Sequence, residues 1–429
     1  MTIALAPNIL TNIRRLLATR RAFILGSLAF PLLIFLHNPR HLIRPELWGE
    51  DGPLWYKQAY ELGIASLLVN AGGYLNSIQR LAAIALQPFP LAWMPFLFAT
   101  VALLIHAAPA IFLVSKQMEA VWPDQMSRYL FAILFLVLPN APEVAAGLTN
   151  SQWYLALLTF LILVSSVPGT RIGRLLETVV LAASGLSGPF GLLLMPTALL
   201  ETWSAGSAQR PDALRRVAVL FVTGLIQIAY ILATPGNGRS TAPLGASPGL
   251  FIQIVGMISL GAESGYRQVA SWAQLGFLKT SGILYIFACM SSILVIVSLI
   301  RGPRLLLQYW SFAAAAFGLS LARPLISGTE IQWPLMLTPP LGNRYLFFPM
   351  IGWLGTLLVL STSSARWLSI FARCLLALTA LWAIPNDWGD LFAIPPSDFI
   401  QRARIFDAAP AGTTMEFEIH PGWKMTLTK

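Results

Sequence analysis

Charge is what this chain has least of. Asp and Glu together number only 18 in 429 residues, and all charged residues make up 11%, against about 25% in a soluble globular protein. An ordinary solvated surface is therefore excluded. Cysteine is nearly absent. Cys289 and Cys374 both fall inside apolar stretches and read as packing residues rather than a disulfide. The four histidines form no ligand cluster. His106 sits within an apolar stretch, where a hydrogen bond to a neighbouring helix is expected, and His37, His41 and His420 lie in loops. There is no Gly-x-x-x-x-Gly-Lys loop, His-Glu-x-x-His or Cys-x-x-Cys, so nucleotide-loop and zinc chemistry find no support. The sequence also carries no internal repeat.

What is there instead is apolar: 56% of residues are hydrophobic, in long blocks. In lipid the backbone must satisfy its own hydrogen bonds, which leaves helices or a closed barrel, and a barrel would show short alternating segments. The chain thus reads as an all-α polytopic membrane protein. Judged against the roughly 20 residues that cross a bilayer, spans are expected at 22–37, 91–114, 127–141, 151–167, 174–187, 189–203, 215–234, 281–300, 305–321, 344–362 and 367–384, about eleven in all. The first is read as a retained span rather than a cleaved signal. Arg14, Arg15, Arg20 and Arg21 precede it and place the N-terminus in the cytoplasm by the positive-inside rule. Short loops holding Lys116, Arg128, Arg216, Arg304 and Arg373 then fall on the same side, and the net charge of +10 is a topology signal rather than a nucleic-acid footprint. No nucleic-acid partner is expected.

This threading puts four large regions outside: 38–90, 139–152, 235–280 and 323–344. Interfacial or re-entrant helices are expected in them, at 54–60 and 250–260. The expected division is a membrane domain over 1–385 and a short extracytoplasmic tail over 386–429, too small for an independent domain. The break Ser184–Gly191, between two spans, is expected to line the same hollow as the first outer region.

Glu50 and Asp51 stand side by side in Trp48-Gly49-Glu50-Asp51-Gly52, just after the first span. Such a pair either takes a proton from an attacking hydroxyl or holds Mg²⁺ or Mn²⁺ through hard oxygen ligands. The structural alternative is a solvated turn capping the next helix. Asn150, Gln152 and Trp153 open the fourth span, and with Tyr74 they suit a sugar. The same residue types equally suit a helix start and an aromatic belt. Arg344 and Arg323 mark the fourth outer region, where a guanidinium matches phosphate oxygens or simply reaches for headgroups. Glu143, Arg80, Arg267 and Lys279 are lesser candidates.

An acidic residue in a first outer loop, followed by interfacial helices, resembles the GT-C class of membrane glycosyltransferases. The motifs Trp48-Gly49-Glu50-Asp51-Gly52, Thr149-Asn150-Ser151-Gln152-Trp153, Asn343-Arg344-Tyr345-Leu346-Phe347-Phe348-Pro349 and Pro421-Gly422-Trp423 are together similar to its bacterial GtrII-like branch. The resemblance implies a polyprenyl-phosphate sugar donor, a hydroxyl acceptor on a cell-surface glycan or lipid, inversion at the anomeric carbon, and a bacterial inner membrane with the tail in the periplasm. It implies Asp51 or Glu50 as base and Arg344, aided by Arg323, at the donor phosphate. The class usually spaces its two acids one residue apart, whereas here they adjoin, which leaves the base and any metal open. A transporter or flippase, or a polymerase or ligase for lipid-linked saccharides, would use similar residues. Inverted repeats, common in transporters, are not seen. The oligomeric state is not legible.

Overall fold

The computed structural model describes residues 19–145, 147–234, 240–389 and 395–429. Arg14 and Arg15, and parts of the third outer region and of the tail, lie outside the described residues. Within them, seven helices are long and apolar enough to cross a membrane: Arg20–His37, Leu91–Leu113, Arg210–Ala233, Ile283–Arg301, Arg304–Ala322, Asn343–Leu360 and Arg366–Asn386. This is the build of a multi-pass, membrane-embedded helical protein. In chain order the longer helices are α1 (Arg20–His37), α2 (Ser77–Leu86), α3 (Met94–Leu113), α4 (Gln125–Leu136), α5 (Ser151–Val164), α6 (Arg171–Gly185), α7 (Phe190–Ser204), α8 (Arg210–Ala233), α9 (Pro248–Ser264), α10 (Ile283–Arg301), α11 (Arg304–Ala322), α12 (Phe347–Leu360), α13 (Arg366–Leu378) and α14 (Phe399–Ala408). Each apolar stretch expected to span carries a helix. Four of them, α4 to α7, have only 12, 14, 15 and 15 residues.

Helix α5 is the axis of the fold. It is apolar all round, the mark of a helix enclosed by others, and every residue from Ser151 to Val164 is buried. Trp153 packs on Phe190 and Phe348 at ring distances of 4.9 and 5.3 Å, and Tyr154 on Phe347 at 4.9 Å. By contrast α1 turns Leu25, Leu28 and Leu32 outward, as a lipid-facing helix does. Cys289 and Cys374 are also exposed, on α10 and α13, and unbonded. They do not pack in the core as expected, because the helices that carry them lie on the periphery.

Loop contacts sort the helix termini into two ends. At one, Arg128 donates to the Leu113 and Ser115 carbonyls, Arg216 to Leu163 and Ser165, Arg304 to Leu200 and Arg373 to Ser361. Each arginine caps the open C-terminus of another helix, where carbonyls lack partners and the helix dipole favours a cation. At the other end, Asn343 donates to the Asn140 carbonyl at 3.2 Å, Asp387 accepts from Asn140 and Tyr266 amides, and Gly389 donates to the His37 carbonyl. Helix α9 packs alongside α10. Its Ser259 hydroxyl donates to the Phe287 carbonyl near the start of α10, and the chain just beyond it binds Asp387. Gly256 seats directly against the Leu284 carbonyl.

The tail is more ordered than its length suggests. Helix α14 and an antiparallel hairpin of β1 (Thr414–Ile419) and β2 (Trp423–Thr428) pack together. Phe417, Ile419, Met425 and Leu427 are buried, and join Leu47, Trp55, Tyr56, Ala59, Met94 and Phe98 in one apolar cluster. The segment 54–60 therefore packs against the hairpin. Asp407 of α14 receives the Leu91 and Ala92 amides at 3.0 and 3.1 Å, capping the turn that opens the second long span.

Candidate active site

The turn Gly49–Asp51 is pinned from two sides. Gly49 takes φ +46°, a region that favours glycine, and its amide donates to the His420 carbonyl of the hairpin at 2.6 Å. Trp48 and His420 form a parallel bridge. A π-turn over Gly52–Tyr56 follows. The result sends the two acids apart. Asp51 is 2% exposed. Its Oδ1 accepts from the Thr149 hydroxyl at 3.0 Å, and Oδ2 lies 3.4 Å from the Trp48 amide. Burial pushes its carboxyl up to about 7. The Thr149 bond opposes that rise, the Glu50 charge adds to it, and the Trp48 amide opposes it.

Asp51 lines a cavity of about 250 Å³. The lower wall is apolar: Ile34 and Phe35 of α1, and Phe98, Ala99, Ala102 and Leu103 on one face of α3. His106 and Tyr154 also line it, their rings stacked at 4.0 Å. The upper wall is polar and cationic: Arg40, His41 and Arg44, with Glu46 and Asp51. Arg40 and Arg44 are four residues apart on a helical turn whose Arg44 amide donates to the Arg40 carbonyl at 2.9 Å, so they share a face. Glu46 is committed elsewhere, accepting the Ser397 amide and hydroxyl at 3.0 and 2.5 Å. An amphiphile with an anionic headgroup fits this gradient.

Glu50 does not line the cavity. It lies within electrostatic reach of Arg344. Arg344 does not line it either. Its guanidinium is ion-paired with Glu143, bonds the Leu325 carbonyl, lies over the Tyr345 ring at 4.9 Å, and its amide donates to Glu143 Oε2 at 3.0 Å. The expected meeting of acid and Arg344 around one hollow is thus corrected: Glu143 holds the arginine. Arg323, exposed at the end of α11, also stands outside the cavity. Among the described residues no group of three or more His, Cys, Asp and Glu is placed to hold a metal.

The expected sugar residues are brought together, but beside the cavity. Gln152 donates to the Tyr74 hydroxyl at 3.3 Å, Asn150 to the Glu143 carbonyl at 2.7 Å, and Trp153 is core. The break after α6 also packs away from the cavity: the Gly188 amide donates to the Leu75 carbonyl at 3.0 Å and Ser187 accepts from Ile78. His106 has no hydrogen bond from Nε2 among the described residues and stacks on Tyr154 instead of bonding a neighbouring helix. Arg40, His41 and Arg44 were missed. Their signal was a cluster of cations on the side that the positive-inside rule leaves poor in them. Comparison of the chain with protein-family models and with curated proteins finds no match.

Proposed function

We propose that this protein is an integral membrane glycosyltransferase that moves a sugar from a polyprenyl-phosphate donor to a hydroxyl of a cell-surface glycan or lipid on the extracytoplasmic face. The observation that carries the reading is a buried carboxyl, Asp51, on the wall of a cavity with an arginine-bearing rim and an apolar wall. In this reading Arg40 and Arg44 meet the donor phosphate and the prenyl chain runs down the α3 face. Arg344 and Arg323 were the sequence-based choice for that phosphate. Neither of those two lines the Asp51 cavity, whereas Arg40 and Arg44 do, which favours the latter pair. The acceptor oxygen bonds to the anomeric carbon as its proton passes to the Asp51 carboxylate. The bond from that carbon to the phosphate oxygen breaks, and polyprenyl phosphate leaves with the electron pair. Attack opposite the leaving group inverts the centre. Countering charge on the leaving phosphate supplies much of the acceleration. The same reading makes all eleven apolar stretches spans of a bacterial inner membrane, with the hairpin outside.

The test is compositional analysis of surface glycan from a strain lacking the gene. A missing branch sugar, restored by the wild-type gene, is expected. An unchanged glycan overturns the reading.

A further inference from the structure

Arg80 on α2 is fully buried, and none of its three guanidinium nitrogens has a hydrogen-bond partner among the described residues. An unpaired buried cation is costly, so its neighbours matter. Its guanidinium carbon lies 5.1 Å from the centre of the Trp55 ring. Trp55 is 2% exposed, and its indole N–H donates to Thr149 Oγ1 at 2.9 Å. The Thr149 hydroxyl in turn donates to Asp51 Oδ1 at 3.0 Å. Four side chains from three separate segments therefore form one line that ends on the candidate base.

We infer that Arg80 is a positioning residue for Asp51, acting through Trp55 and Thr149 to aim the carboxylate at the cavity and to favour its anionic form. Each link has a direction. A cation over an indole face draws on the ring's electrons and makes the ring N–H a stronger donor. That N–H occupies a lone pair on Thr149, and the hydroxyl has only one proton to give, so the proton is directed to Asp51. Successive bonds in such a chain strengthen one another. The unpartnered guanidinium then has a use: its charge is not quenched by a local acid and is felt along the line.

Other charges also face Asp51. Glu50 adjoins it in the turn, and Arg40, His41, Arg44 and Glu46 come from the segment before it. His37 of α1 and His106 of α3 complete the cavity wall, and Tyr154 of α5 lies across from them. None of them is altered by changes along the line, so a difference between variants reports the line itself.

The inference rests on the proposed function only for its catalytic meaning, because the carboxyl can be titrated without any sugar transfer. The purified full-length protein is treated with a hydrophobic carbodiimide, which modifies protonated carboxyls, at a series of pH values, and the adduct at Asp51 is quantified by peptide mass spectrometry. T149V should raise the labelling midpoint by about one pH unit, the scale of one lost hydrogen bond to a charged group. R80Q and W55F should raise it by a smaller, similar amount, and R80K, which keeps the cation over the ring, should restore the wild-type midpoint. A role in packing alone would not move the midpoint. Wild-type midpoints in R80Q and W55F overturn the inference. Should R80Q not assemble, W55F decides, since it keeps an aromatic ring and removes only the link. Shifted midpoints beside an unchanged glycan in the deletion strain would uphold the line and reject the glycosyltransferase reading.

Discussion

In the proposed reading, Asp51 carries two opposed demands, one from folding and one from chemistry. Burial raises its carboxyl from 3.8 to about 7, so the folded protein binds a proton there that the unfolded chain releases. Between these values stability falls as pH rises, because the native state holds more protons. Above about 7 the folded carboxyl is ionised, as a base must be. Transfer activity is accordingly expected to climb with pH through about 7 and then level off. Thermal unfolding of Asp51→Asn should lose the decline that wild type shows over that window, and a variant with the same decline would place the titration elsewhere. Glu143 and Arg344 make the contrasting case, a pair satisfied within the fold. Glu143→Ala leaves a part-buried guanidinium unmatched and should cost about 2 kcal/mol, read from the unfolding midpoint. The acid pair was legible because carboxylates are scarce here. Arg40 and Arg44 were not, because arginines in such a chain look like topology markers until a cavity groups them.

At the scale of elements, close packing is set by small residues and by caps. A side chain at Gly256 would run into the Leu284 carbonyl, so Gly256→Val should force α9 from α10 and cost about 3 kcal/mol. A melting temperature equal to wild type would contradict that contact. Asp407→Ala removes the cap on the Leu91 and Ala92 amides and should cost about 1 kcal/mol. Its visible effect should be faster proteolysis of the tail, because α14 and the hairpin dock through that end. Long apolar helices were legible from block length. The apolar run 250–260 was legible as a helix, and it extends over the 17 residues of α9. The hairpin went unread although its signal was present: Met415, Phe417 and Ile419 alternate with polar residues, and so do Met425 and Leu427, on either side of Pro421-Gly422. A search tuned to apolar blocks passes over a period of two.

For the molecule as a whole, the two ends differ in kind. One is a ring of arginines that close helix C-termini. At the other, the hairpin packs around the acid turn, so the tail is part of the site's support although it is last in sequence. That long-range assembly could not be read from spacing, since Gly49 and His420 lie far apart in the chain and meet only through the fold. The claim on which the rest depends is that the Asp51 cavity performs sugar transfer. Its most direct test is surface-glycan composition in a deletion strain that carries either the wild-type gene or Asp51→Asn, both expressed to the same level. The wild-type gene should restore the missing sugar and Asp51→Asn should not. Full restoration by Asp51→Asn would contradict the account.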